Sequence, residues 1–298
     1  MNEGAINKGL LEPEFLRRLE RLALMARQVQ VGSAKGERKS KRKGVSIEFS
    51  DYRDYVQGDD LRHVDWNIYA RLDSFHLKLF QEMEDFTLHL LIDASRSMGF
   101  GAPSKIAFAG RLAAALGYIA LAGYDRVCAE AFAGAVSMSL PPLRGKASAG
   151  KLFAFLQQVE AEGPTRLEGA CKTHFLRHRA KGVAVMISDF FDPEGFEAGL
   201  RRLALSGSDA YAIQVLAPEE YAPEVSGDIK LLDCETGAAV EVTVTPALLK
   251  RYQERREEFC DSMREFCLRR GIGYFLTTSD APVDRLILEI FRRGGMIK

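Results

Sequence analysis

From Phe86 onward the chain alternates short aliphatic or β-branched runs with longer segments whose apolar residues return every three or four positions. FTLHLLID (86–93), VAVMISD (183–189), DAYAIQVL (209–216) and GYFLTT (273–278) have the length and residue types of buried strands. Between them lie helical segments. Residues 104–121 set Ile106, Leu112, Leu116 and Ile119 on one side, and 151–159, 167–178, 193–205 and 283–293 repeat the helical pattern. DRVCAEAFA and AVSMSL flank Gly134 as a hairpin, and DIKLLDCE and AAVEVTV flank Thr236-Gly237 as a second strand pair. Thr245 and Pro246 open a long helix carrying Leu249, Tyr252, Phe259, Met263 and Phe266, which Gly271 ends. Strands that alternate with helices must be joined by crossovers. The expected fold is therefore α/β: a doubly wound, mainly parallel sheet covered on both faces.

The first 85 residues follow a different rule. Residues 13–29 read as an amphipathic helix through Phe15, Leu19, Leu22 and Leu24. A solvated basic loop follows, with six Lys/Arg between Lys35 and Lys43 against one Glu. Residues 44–84 are dense in aromatic and charged side chains and predict short strands with turns at Gly58-Asp59-Asp60 and Asp73-Ser74. The expected organisation is an N-terminal extension over 1–85 (helix, basic loop, short strands) and an α/β domain over 86–298. Asp59, Asp60, Arg62, Asp65 and Arg71 nearly balance in charge and do not fit a calcium loop. They predict a polar network pinning the extension to the domain, with Trp66 as its apolar anchor.

Forty-one basic and 41 acidic residues give zero formal net charge, so no global field draws the chain to DNA or anionic lipid. Lys39, Lys41 and Arg42 make a local basic patch for a partner, but no nucleic-acid motif accompanies it and nucleic acid is not expected. The N-terminus lacks a secretory pattern, and no run approaches the ~18 consecutive apolar residues of a membrane helix. Five cysteines, an odd number without C-x-x-C spacing, read as reduced core residues and argue against zinc. The expected setting is cytoplasmic, without membrane insertion. His174 and His178, four apart, read as a solvent-facing pair near a helix end.

The segment Leu90–Met98 carries the chemistry. A strand ends at Asp93, and Ser95 and Ser97 follow at alternate positions, on the edge of an α/β sheet where ligands bind. Capping and turn formation are the ordinary roles of such residues. Thr165, ahead of a helix, and Asp189, closing a later strand, would arrive on the same edge. Two carboxylates and three hydroxyls make an all-oxygen set suited to Mg²⁺, with Mn²⁺ or Ca²⁺ as alternatives. Enzyme signatures are missing: Ser95 is not in G-x-S-x-G, and Gly99-x-Gly101 belongs to no phosphate loop. The chain is therefore not expected to be an enzyme. A hydrolase using a metal-activated water, or a scaffold without metal, stands as the alternative.

The D-x-S-x-S turn, the later Thr165 and Asp189 resemble the metal-ion-dependent adhesion site of von Willebrand factor A domains, a Rossmann-like fold. That resemblance implies Asp93, Ser95, Ser97, Thr165 and Asp189 as metal ligands and a partner Asp or Glu completing the shell. Gly58 to Trp66 and Ala70-Arg71, followed by the same turn, resemble the bacterial family called domain of unknown function 58. Its members are often encoded beside MoxR-type AAA+ ATPases, which implies an adaptor in assembly or maturation of other proteins. Arg96 and Arg166 flank the expected metal and are candidates for partner contact. Arg166 and Phe190 depart from the wider pattern of a small or acidic residue and a glycine. A guanidinium there repels a cation unless it turns outward or pairs with a carboxylate such as Glu168.

Overall fold

A computed structural model describes residues 13–33, 47–56, 59–60, 64–82, 86–177, 182–234 and 237–294. The chain divides into two compact units, one of 1–33 with 86–298 and one of 34–85.

In the larger unit, strands β3 (Thr87–Asp93), β4 (Arg126–Phe132), β5 (Val136–Arg144), β6 (Gly182–Ser188), β7 (Asp209–Leu216) and β10 (Gly273–Thr278) form one sheet in the order β10-β7-β6-β3-β4-β5. All neighbours are parallel except β4 and β5, which form the antiparallel hairpin expected at Gly134. Every residue of β3 is buried. That explains its unbroken apolar run: a central parallel strand is covered on both faces and has no solvent side to alternate toward.

One face packs on helices α1 (Pro13–Ser33), α3 (Lys105–Ala122), α4 (Ala149–Gln157) and α9 (Val283–Gly294). The other packs on α5 (Leu167–Arg177), α6 (Glu197–Ala204) and α8 (Pro246–Leu268). The doubly wound, mainly parallel α/β architecture is thus observed. Helix α3 is long and apolar enough to span a bilayer, yet 89% of it is buried inside the protein, so its hydropathy belongs to the core. Strands β8 (Gly227–Leu232) and β9 (Ala239–Val244) form a separate two-stranded sheet, and α7 (Pro218–Tyr221) follows β7.

Helix α1 departs from the expected division of the chain. Leu19, Leu22 and Ala23 are buried in the larger unit's core, and Glu20 accepts a hydrogen bond from Lys146 at 2.8 Å. An amphipathic helix needs an apolar partner, and α3 with its neighbours supplies one. The helix therefore belongs with residues 86–298 and not with the segment that follows it.

The smaller unit pairs β1 (Ile47–Asp54) with β2 (His76–Glu82) antiparallel. Between them is α2 (Trp66–Leu72), a helix where only strands and turns were expected. Its start is set by Asp65, whose Oδ1 accepts the N–H groups of Asn67 (2.9 Å) and Ile68 (3.4 Å), an N-cap too local to show in apolar periodicity. The turn at Asp73 is present, with φ 52°. Trp66 is no buried anchor: it is 57% exposed, edge-on to Tyr69 and Phe75. Tyr69 and Phe75 stack instead, 4.4 Å apart. Asp59 accepts from Arg53 (2.9 Å) and Asp65 from the Tyr52 hydroxyl (3.1 Å), so these bonds of the expected polar network close within this unit. Arg62 and the basic patch Lys39, Lys41 and Arg42 lie outside the described residues.

Candidate functional site

Strand order locates the site. From β3 the chain moves outward to β4 and β5, then returns to the other side of β3 with β6 and continues through β7 and β10. The direction reverses between β3 and β6, and a crevice opens at the carboxyl ends of such a pair. Asp93 is the last residue of β3, Ser188 is the last of β6, and Asp189 follows it directly.

The expected site residues gather at this edge. Asp93, Ser95, Ser97, Thr165 and Asp189 are all buried. Asp93 Oδ1 accepts the Ser95 N–H (2.8 Å), and Ser95 Oγ lies 3.1 Å from Ser97 Oγ. The loop bearing Thr165 is tied to the same turn, because Arg96 N–H donates to Gly163 O and Glu162 N–H to Ala94 O, both at 2.8 Å. Gly163 has φ +83°, a conformation a side chain would strain.

Three residues that sequence reasoning missed complete the cluster. Ser188 Oγ–H donates to Asp93 Oδ2 at 2.5 Å. Lys105, at the first position of α3 and with no exposed surface, donates to Asp189 Oδ2 (2.7 Å) and to Glu220 Oε1 (2.6 Å). An ammonium at a helix N-terminus is unfavourable by itself, so those carboxylates are what hold it there. Lys105 did carry a sequence signal, as a cation opening a helix that is apolar apart from Arg111, but its partners lie 84 and 115 residues away.

Burial, and then repulsion from Asp189, pushes the Asp93 carboxyl up to about 7. Its bonds come from neutral donors, and among the described residues no cation bonds to it directly. Lys105 is the reverse case. Burial alone would lower its pKa, but Asp189 and Glu220 together raise it, so it remains an ammonium. Glu220 is raised by burial, opposed by Lys105. Asp189 and Glu220 thus face one ammonium, with Asp93 beside Asp189, and the three carboxylates leave two negative charges when all are ionised. The donors free of nitrogen and sulfur (Asp93, Ser95, Ser97) fit a hard divalent cation.

Arg166 turns outward. It pairs with Glu194 at 2.7 Å, both exposed, while Glu168 is taken by Arg202. Arg96 is exposed as well and donates to the Cys234 carbonyl (3.2 Å). Phe190 follows Asp189 at φ 63°, in the left-handed region that favours glycine. Its N–H donates to Ser188 Oγ (2.8 Å) and its ring is buried among Leu91, Phe132 and Met186, which offsets the backbone strain.

His174 overturns its sequence reading. It is fully buried, 2.8 Å from Glu130 and 3.0 Å from His89, because α5 turns that side onto the sheet. His178 lies outside the described residues. Four of the five cysteines are buried, as expected, and Cys234 is exposed.

A family model described as Protein of unknown function DUF58 matches residues 51–259. The uncharacterized protein Rv1480 of Mycobacterium tuberculosis is 29% identical over 242 residues, covering 80% of this chain and 76% of its own. A Mycobacterium avium protein, uncharacterized protein MAV169, is 37% identical over 70 residues, 24% of this chain and 41% of its own. Among solved structures, the conserved hypothetical protein BatB from Bacteroides thetaiotaomicron aligns with a TM-score of 0.46 at 16% identity, over 70% of this chain and 98% of that one. An aerotolerance-related membrane protein from Bacteroides fragilis aligns with a TM-score of 0.45, also at 16% identity, over 71% of this chain and all of that one.

Proposed function

The chain belongs to the DUF58 family of proteins of unknown function, and we propose that it is a metal-dependent protein-interaction module. In this reading the α/β unit is of the von Willebrand factor A type, and Asp93, Ser95 and Ser97 hold Mg²⁺ (or Mn²⁺ or Ca²⁺). Thr165 and Asp189 complete the shell directly or through water. The observation that carries the proposal is the Asp93 carboxylate, wholly buried, bonded to neutral donors and adjoining two hydroxyls in mutual contact. A buried anion without a counter-charge is costly, and a divalent cation supplies the charge. The cation then keeps positive charge toward solvent, and an Asp or Glu from a partner completes its shell. The protein acts by binding, without turnover, in the cytoplasm, as an adaptor of a MoxR-type AAA+ ATPase in assembly or maturation of other proteins.

A second reading is favoured by one observation: Lys105 already supplies a cation to Asp189 at 2.7 Å. The site would then be a metal-free scaffold with an internal ammonium. Calorimetric titration of Mg²⁺, Mn²⁺ and Ca²⁺ into wild type and Asp93→Ala, with and without glutarate, separates the two. Saturable binding that Asp93→Ala abolishes and glutarate strengthens supports the adhesion-type site. No binding under any condition leaves the scaffold. Turnover of a phosphoester panel, lost in Asp93→Ala, would instead make the protein a hydrolase.

A further inference from the structure

A second polar cluster lies deep in the larger unit, on the sheet face covered by α5. His89 on β3 is the register partner of Cys128 on β4, and His174 descends onto them from α5. His89 Nδ1 lies 3.1 Å from Cys128 Sγ and 3.0 Å from His174 Nε2, and the three donor atoms all fall within 4.8 Å of one another. All three residues have no exposed surface. Around them the face is apolar, with Leu91, Leu167, Ala170 and Met186.

We propose that His89, Cys128 and His174 form a binding site for one Zn²⁺ or Cu⁺ ion, distinct from the oxygen cluster at the sheet edge. One ring nitrogen offers a single proton or a single lone pair, yet His89 Nδ1 faces two groups at hydrogen-bonding distance. Three such donors converging on one point can give their lone pairs to a single metal ion, which satisfies all three at once. With metal–nitrogen bonds of ~2.0 Å and metal–sulfur bonds of ~2.3 Å, tetrahedral angles separate the donors by roughly 3.3–3.5 Å. The two pairs that share His89 Nδ1 need to open by only a few tenths of an ångström, and Cys128 Sγ and His174 Nε2, within 4.8 Å of each other, come to the same spacing by adjusting around the ion. Two imidazoles and a thiolate suit soft or borderline ions, whereas the edge cluster suits hard ones.

Glu130 supplies the supporting contact such sites require. Its Oε2 lies 2.8 Å from His174 Nδ1, fixing the ring so that Nε2 turns toward the trio. The Ser139 hydroxyl donates to Glu130 Oε1 (3.2 Å), and Arg177 approaches the same atom at 3.7 Å. With Zn²⁺ bound, the thiolate and Glu130 balance the ion; with Cu⁺, the thiolate balances it alone. Burial, then Glu130, pushes the Cys128 thiol up to about 12, so metal entry must release its proton.

The test titrates the full chain, stripped of metal, with Zn²⁺ and separately with Cu⁺ held by a competing chelator. One equivalent of either ion is expected, with about one proton released per ion, and affinity at least tenfold lower in Glu130→Gln. Cys128→Ser is close to isosteric and is expected to abolish binding while circular dichroism stays native. Should Cys128→Ser fail to fold, Co²⁺ replaces the variant as probe: a thiolate-to-cobalt charge-transfer band in wild type, retained in Asp93→Ala, supports the site. Binding undiminished in folded Cys128→Ser, no thiolate band, or no uptake of either ion would overturn it. Zn²⁺ uptake without Cu⁺ uptake, or the reverse, supports the site and identifies the ion.

Discussion

Strand β3 carries an imidazole at its centre and a carboxylate at its carboxyl end, four residues apart, in opposite kinds of polar company. Asp93 meets Ser95, close in sequence and itself bonded to Ser97, and a neighbour from β6. His89 meets Cys128 and His174, which are 39 and 85 positions away. The edge cluster is all oxygen with one ammonium; the inner cluster is nitrogen and sulfur with one carboxylate. The difference comes from where each lies on the sheet. At a strand end the chain turns, so one short loop can aim several side chains at a point. In mid-strand it cannot, and a cluster must be assembled from separate elements through register and packing.

The largest effect that would break this comparison lies at Lys105. Removing its charge in Lys105→Met leaves the buried Asp189 and the half-buried Glu220 beside each other without that counter-ion. A stability loss of about 3–5 kcal/mol is expected in urea unfolding without divalent ions. Added Mg²⁺ should recover part of it if the edge cluster takes a cation. Unchanged stability would mean that the ion pair does not hold the cluster together.

Next comes Phe190→Gly, which relieves the left-handed backbone but deletes a buried ring. Losing the ring costs ~3–5 kcal/mol and the relief returns ~1–2, for a net loss of about 1–4 kcal/mol in thermal or denaturant melts. A gain in stability would show that strain, not packing, dominates there.

A smaller effect concerns pH. The Asp93 carboxyl titrates near 7 when folded, above its ordinary 3.8, so the folded protein without metal binds this proton more tightly than the unfolded chain. That contribution is complete below about 4 and is lost as pH rises through 7. The pH slope of stability should therefore flatten in Asp93→Asn. Mg²⁺ competes with the same proton, so its affinity should rise with pH, approaching tenfold per unit below 7. An affinity flat from pH 5.5 to 7 would remove Asp93 from the ligand set.

Smallest is Arg166→Ala. The side chain is exposed and paired with Glu194, so stability should change by under about 0.5 kcal/mol and metal affinity little. A large gain in Mg²⁺ affinity would instead place the guanidinium's field at the site.

The two clusters also differ in how legible they were. Asp93, Ser95 and Ser97 declare themselves by spacing at the end of an apolar run, and strand alternation brings Asp189 to the same edge. His89, Glu130 and Lys105 left a fainter mark, each a polar residue within an apolar strand or at the head of an apolar helix. Such a residue must find a buried partner, but nothing local says which. His174 was misread because its helix also carries Lys172, Thr173 and Arg177, which blur the line between its solvent and core faces.

Periodicity by itself determined the α/β order of strands and helices, the two-faced sheet and the oxygen-rich turn, because these depend on contacts within a few residues. Only the tertiary structure decided that α1 joins the larger unit and that Asp65 caps a helix whose first residue, Trp66, is exposed. It also decided that Lys105 pairs with Asp189 and that His89, Cys128 and His174 meet. Strand register and helix docking set those distances, and they are fixed by the packing of the whole core, not by neighbours along the chain.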